Sequence, residues 1–215
     1  MFEAREIRGH GTGTTTGVEY GAGNLPSVER ALKRLGAETR RAATPDALAG
    51  SQAMILPGVG HFGALMRTLA ERELLAPLRA ALAGGAPFLG ICLGLQALYA
   101  SSEEAPEQSG LGVLAGTVRP LPNTAKLPHM GWNQLRQVRP SVLLRDVPAE
   151  SYFYFAHSYA ALEAGEAAVA LCDHGAPFVA VLEQDNVMAV QFHPEKSGEA
   201  GAQVLRRFLD FACGG

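Results

Sequence analysis

The run Pro87-Phe88-Leu89-Gly90-Ile91 is apolar throughout and only as long as a strand, and it passes through Cys92 straight into the helix-like pattern LGLQALYA. A strand with no polar alternation must be covered on both faces, which is the condition of a parallel sheet flanked by helices. The first half of the chain repeats this order. Residues 26–36, PSVERALKRLG, place Val28, Ala31, Leu32 and Leu35 on one stripe between an early proline and Gly36, the pattern of an amphipathic helix with a glycine stop. AMILPG, ending at Gly58, reads as a short apolar strand broken by Pro57. Residues 63–83 carry leucines at helical spacing, as one helix or two, with any break expected at Pro77.

The second half changes character. Residues 101–128 are rich in Ser, Glu, Gly and Pro around one strand candidate, GTVRPL. YFYFAHSY, AAVALCD and FVAVLEQDNVMAVQFHP follow as strands, the last folded into a hairpin at Asp185-Asn186. Residues 198–212 put Val204, Leu205, Phe208 and Leu209 on one face of a terminal helix. The expected fold class is α/β: an open, mostly parallel central sheet with helices on both faces and an antiparallel extension. At 215 residues, 47% of them hydrophobic, the chain suits one core.

The opening resists this reading. Residues 9–24, GHGTGTTTGVEYGAGN, make neither a good helix nor a good central strand, because the glycines weaken what the threonines favour. Gly11, Gly13 and Gly17 do not form a dinucleotide fingerprint, since no strand precedes them and the spacing is wrong. Residues 1–17 are therefore read as an atypical, flexible extension and 18–215 as the single domain.

Several function classes drop out. Eighteen basic against 21 acidic residues leave a net charge of -3, and no basic run offers a nucleic-acid patch. No stretch approaches the 18 apolar residues of a membrane span, and Glu3 and Glu6 begin the chain without a signal-like apolar run. Cys92, Cys172 and Cys213 lie far apart without a CxxC pair, which signals neither a zinc site nor a disulfide framework. Free thiols suit a reducing compartment, so a cytoplasmic location is expected.

The strongest chemical signal is Gly90-Ile91-Cys92-Leu93-Gly94. Small residues on both sides of a strand-to-helix turn let the chain bend sharply and hold the central side chain above the sheet edge, as in a nucleophile elbow. The plain reading of Cys92 is a buried small hydrophobe. A nucleophilic thiol needs a base and a group to orient that base, and His193-Pro194-Glu195 supplies both at a spacing of two, on one side if the segment is extended. Pro194 favours extension at His193, which follows an apolar strand and would lie at its end. Leu56-Pro57-Gly58-Val59-Gly60 ends another strand, and its amides, with those of Cys92 and Leu93, could form an oxyanion hole or merely a turn. His157 is either a second base or a polar strand residue bonded locally. His61 is placed near the same cleft, while His10, His129 and His174 have no evident acid partner.

Seven stretches together carry a resemblance: YGAGNLPSV (20–28), LPGVGHFG (56–63), PFLGICLGLQALY (87–99), SSEEAP (101–106), LPHMGWNQL (127–135), YFYFAHSY (152–159) and QFHPEKSGEAG (191–201). The chain resembles the class I, triad-type glutamine amidotransferases over residues 18–212, and more narrowly the glutaminase subunits of imidazole glycerol phosphate synthase, an enzyme of histidine biosynthesis. GICLG and HPE specify only the broad class; PHMGWN, FAHSY and HPEKSGEAG narrow it.

The resemblance implies Cys92 as nucleophile, His193 as base and Glu195 as the residue orienting it. It implies an oxyanion hole from Gly58, Val59, Gly60 and Leu93, formed after a backbone flip, and a flavodoxin-like core. Gln96, His157, Ser158 and Tyr159 would hold L-glutamine, and Asn24, Met130, Trp132, Tyr154 and Lys196 would approach a partner. That partner is a (β/α)8-barrel cyclase subunit in a 1:1 heterodimer, which uses the ammonia to make imidazole glycerol phosphate and an aminoimidazole carboxamide ribonucleotide. No metal or organic cofactor is implied. A glutaminase serving pyridoxal phosphate synthesis and an inert interaction subunit of the same fold remain as alternatives. The chain departs from the family at TGTTTGV, thin in apolar residues, so Thr14 to Val18 is either a weakly packed first strand or a compromised edge.

Overall fold

A computed structural model of the chain describes residues 14–21 and 24–214. The elements, in order, are β1 (Thr14–Val18), α1 (Leu25–Arg34), β2 (Glu38–Ala42), α2 (Pro45–Leu48), β3 (Ala53–Gly58), α3 (Phe62–Glu71), α4 (Leu75–Ala83), β4 (Phe88–Cys92), α5 (Leu93–Gln96) and β5 (Tyr99–Ser102). There follow β6 (Leu114–Pro120), β7 (His129–Gln134), β8 (Arg136–Gln137), β9 (Tyr152–His157), β10 (Tyr159–Ala160), β11 (Ala168–Asp173), β12 (Pro177–Gln184), β13 (Val187–Val190), a 3-10 turn (Pro194–Lys196) and α6 (Gly198–Ala212).

The main sheet has eight strands in the order β2-β1-β3-β4-β13-β12-β11-β8. Its first five are mutually parallel, and β12, β11 and β8 extend it antiparallel. Alternation along β3 explains why both faces need helices. Met54 and Leu56 pack with Leu65 and Leu69 of α3 and Leu78 of α4, whereas Ala53 and Ile55 join Val28 and Leu32 of α1 and Leu205 and Phe208 of α6. Two smaller sheets, β10-β6-β5 and β7-β9, stand beside the carboxyl edge.

Four local readings change. Thr14–Val18 is an interior strand between β2 and β3, which bears out the first-strand alternative and takes residues 14–17 out of the extension. Thr15 and Thr16 are buried, the Thr16 hydroxyl accepts from Arg40 Nε at 2.9 Å, and Gly17 lets Leu25 of α1 sit against the strand. Residues 1–13, with His10, lie outside the described residues. Pro57 does not break β3, which runs on to Gly58. Pairing with β1 has already ended at Ile55, so no donor is needed there. Between α3 and α4 the break falls at Glu73, whose φ is +57°, while Pro77 sits in the first turn of α4, where a missing N–H costs nothing. The pattern LGLQALYA is a single helical turn, Leu93–Gln96, before β5 begins at Tyr99.

The tight turn after β4 depends on absent side chains. A Cβ on Gly94 would overlap the Leu56 carbonyl oxygen of β3, and one on Gly58 would lie 2.6 Å from Leu93 Cβ. Gly94→Ala is expected to cost about 2 kcal/mol by overpacking, seen as a lower denaturant midpoint at constant m. An unchanged midpoint would mean that the turn relaxes without resistance.

Candidate active site

Sheet order brings three distant segments to one edge. Gly58 is opposite Cys92 in the β3–β4 pairing, and Val190 is opposite Ile91 in the β13–β4 pairing, so residues 191–193 leave the sheet beside the thiol. Cys92 holds φ +55° and ψ -106°, a strained conformation for a residue with a side chain and one typical of functional turns. The turn projects the thiol out of the sheet at the start of α5.

His193 is buried and extended (φ -100°, ψ 95°), but Glu195 reaches it by a different route from the one its spacing suggests. Pro194–Lys196 is a 3-10 turn, not an extended segment, and it curls the Glu195 carboxylate back to His193 Nδ1 at 3.0 Å. A carboxylate only accepts, so Nδ1 carries the proton and Nε2 is left for Cys92. Ser197 secures the turn: its hydroxyl donates to the His193 carbonyl at 2.7 Å and accepts from the Tyr154 amide at 3.0 Å. Burial alone would lower the imidazole pKa, but hydrogen bonds to Cys92 and Glu195, and the charge on both, outweigh it and lift the pKa to about 10. A ring whose pKa is raised in this way is suited to hand a proton to a leaving group.

A cavity of about 160 Å³ opens over these groups, lined by Val59, Gly60, Cys92, Leu93, Gln96, Glu104, Ala156, His157, Ser158, Tyr159, His193 and Lys196. That is well below the ~300–1,000 Å³ of cavities that hold drug-sized ligands, and it suits an amino-acid-sized one. Of the residues expected around the cavity, Val59, Gly60, Cys92, Leu93, Gln96, His157, Ser158, Tyr159 and His193 line it, while Gly58 lies buried beneath the turn. His157 has its pKa lowered to about 3 chiefly by burial, and both ring nitrogens are engaged, as in a polar strand residue bonded locally. Its Nδ1 bonds the Tyr159 carbonyl at 3.0 Å and its Nε2 meets His129 Nδ1 at 3.1 Å. His61 caps α3, accepting from the Gly63 amide at 3.1 Å, and is not among the lining residues.

The five residues expected at a partner surface divide. Met130 and Trp132 on β7 are 64% and 56% exposed, and Trp132 meets Tyr154 of β9 edge to face. Lys196 stands 5.5 Å over the Tyr154 ring and also lines the cavity, so this face adjoins the thiol. Asn24 instead turns inward and donates to Glu195 Oε1 at 3.2 Å, behind the acid.

Three residues had no assigned role from sequence. Glu104 lines the cavity while its Oε2 accepts from the Phe62 amide at 2.7 Å. Ser197 holds the 3-10 turn that carries Glu195. Gln191, fully buried, donates from Nε2 to Cys92 Sγ at 3.6 Å. Its spacing of two from His193 was the available signal, since alternate residues of an extended segment share a side. No helix among the described residues is long and apolar enough to cross a membrane.

Residues 18–211 match the family model for glutamine amidotransferase class-I. The chain is 46% identical over 193 residues to the imidazole glycerol phosphate synthase subunit HisH of Methanothermobacter thermautotrophicus, covering 90% of this chain and 96% of that one. It is also 46% identical over 192 residues to the subunit of the same name from Desulfitobacterium hafniense, covering 89% and 91%. Among solved structures, a glutamine amidotransferase superposes with TM-score 0.74 at 24% identity, covering 92% of this chain and 98% of that one. PurLQS from Thermotoga maritima superposes with TM-score 0.73 at 20% identity, covering 93% and 99%. These two show the shared fold. A model match from the end of β1 into α6, with relatives aligned along nearly their whole length, means that the chain belongs to the class-I glutamine amidotransferase family.

Proposed function

We propose that the chain hydrolyses L-glutamine as the glutaminase subunit of an imidazole glycerol phosphate synthase, with Cys92, His193 and Glu195 as its catalytic groups. The observation that carries the reading is that His193, held at Nδ1 by Glu195, lines one amino-acid-sized cavity together with Cys92. The sulfur attacks the side-chain amide carbon, and the carbonyl electrons move to oxygen. As the tetrahedral species collapses the C–N bond breaks, His193 gives its proton to the nitrogen, and ammonia leaves a glutamyl thioester. Water then adds to the thioester, losing a proton to His193, and the C–S bond breaks to release glutamate. Glu195 holds the ring in the required tautomer. The amides of Val59, Gly60 and Leu93 are the donors offered to the developing oxyanion.

Substrate orientation follows from hydrogen-bond polarity. Gln96 Nε2 donates to the Tyr159 carbonyl at 2.8 Å and to Gln191 Oε1 at 3.2 Å, so both its N–H groups are engaged and Oε1 is what it offers a ligand. Together with the Glu104 carboxylate, this makes one wall attractive to an α-ammonium group. Glu104→Gln is expected to raise the KM for glutamine about tenfold with kcat little changed, because it removes binding that ground and transition states share. A fall in kcat at constant KM would place Glu104 in the chemistry instead.

The partner in this reading is the (β/α)8-barrel cyclase subunit, in a 1:1 heterodimer seated on Met130, Trp132, Tyr154 and Lys196. Two large apolar side chains exposed beside a catalytic cavity support an interaction surface. Glutamine hydrolysis measured for the chain alone and with the cyclase and its ribonucleotide ligand tests both halves. No turnover in either setting would overturn the enzymatic reading, and equal turnover with a different amidotransferase partner would overturn the pathway.

A further inference from the structure

The polarity of the buried amides beneath the cavity can be settled atom by atom. A backbone carbonyl can only accept, so the Gln96 atom 2.8 Å from Tyr159 O must be nitrogen. That nitrogen is also 3.2 Å from the Gln191 side chain, which must therefore present its oxygen. The remaining Gln191 atom, 3.6 Å from Cys92 Sγ, is then an N–H donor aimed at the sulfur. The Gln191 backbone amide donates to the Ala180 carbonyl of β12 at 2.9 Å, so the residue is anchored at both ends and fully buried.

We propose that Gln191 is a catalytic hydrogen-bond donor to the nucleophile: its Nε2 holds the Cys92 sulfur in the attacking position and supports its negative charge, while its Oε1 holds Gln96 against the substrate. The catalytic meaning rests on the glutaminase reading above, but the sulfur contact does not. A buried glutamine at a strand end is costly unless its amide is fully used, and here both ends of the amide meet groups that line the cavity. His193 approaches the sulfur as the proton carrier and Gln191 as a donor that never gives its proton up. The second contact survives when the imidazole has delivered its proton to ammonia, the moment at which the thioester sulfur must remain placed for water.

The test is the alkylation of Cys92 by iodoacetamide, a neutral probe that needs neither glutamine nor a partner, followed by mass spectrometry of the Cys92 peptide in the full-length chain. Gln191→Met keeps the volume and removes the donor. It is expected to slow Cys92 alkylation about tenfold, as for loss of a hydrogen bond to a charged group, and to lower kcat with a rise in KM through Gln96. A folded Met variant alkylated at the unsubstituted rate would overturn the proposal. If that variant does not fold, the Gln191 side-chain amide is followed by NMR in the otherwise native chain. Its Nε2 proton resonances are expected to move on alkylation of Cys92 and not on alkylation of Cys213 alone; stationary resonances would overturn the contact. Should glutamine turnover be absent altogether, the alkylation contrast still decides the role of Gln191, and glutamine turnover with no alkylation contrast would remove Gln191 while leaving the glutaminase reading intact.

Discussion

Replacing Cys92 by alanine is expected to lower glutamine-dependent synthesis by the assembled enzyme at least ~10⁴-fold, as for loss of a covalent nucleophile, while ammonia-dependent synthesis by the cyclase is retained. In the proposed mechanism the two activities separate because the thiol acts only in releasing ammonia. The other cysteines are poor substitutes. Cys172 is buried in the sheet, with its thiol pKa pushed up to about 12 chiefly by burial, and Cys213 is exposed at the carboxyl end of α6. Trapping the thioester by mass spectrometry checks the assignment directly. A glutamyl adduct on Cys172 or Cys213, or loss of the ammonia-dependent reaction in Cys92→Ala, would overturn it.

The second large effect concerns the partner. Beyond Gly58 the chain leaves the sheet, Val59 and Gly60 are exposed, and Gly60 holds φ +98°, a conformation that glycine adopts without strain. The peptide there can turn its amide toward or away from the oxyanion, and one such donor is worth about 3 kcal/mol, or roughly a hundredfold in rate. The isolated chain is accordingly expected to bind glutamine but to hydrolyse it slowly, and the cyclase with its ribonucleotide ligand to raise kcat about a hundredfold. Partner binding does this only by favouring the competent arrangement over the resting one. Steady-state kinetics of the lone chain, the binary complex and the liganded complex decide it. Equal kcat in all three would mean a hole that is always formed, and a change confined to KM would mean control of glutamine binding.

What was legible beforehand divides along physical lines. The β4 strand, α1, α6 and the β12–β13 hairpin were readable because each is set by short-range periodicity and turn residues. β1 was legible only as one of two alternatives, because its burial is imposed by its neighbours: two threonines and a glycine make an interior strand only when Arg40 donates to a hydroxyl and Leu25 fills the space a side chain would need. The same holds for α5, where a sequence of helical character is cut to one turn by the strand that must follow it. Cys92, His193 and Glu195 were named from local motifs, yet the turn that joins the last two is 3-10 and not extended.

The sequence by itself determined which side chains could do chemistry, since nucleophile, base and acid announce themselves through neighbours within a few residues: glycines around Cys92, a proline between His193 and Glu195. Only the tertiary structure decided which other groups serve them. Gln191 reaches the sulfur because β13 pairs with β4, Glu104 reaches the cavity wall because the Phe62 amide holds it there, and Asn24 reaches Glu195 from the start of α1. Sheet pairing and hydrogen-bond polarity act between residues dozens of positions apart, and a local pattern such as the spacing of Gln191 from His193 gives a shared side but not the partner met there.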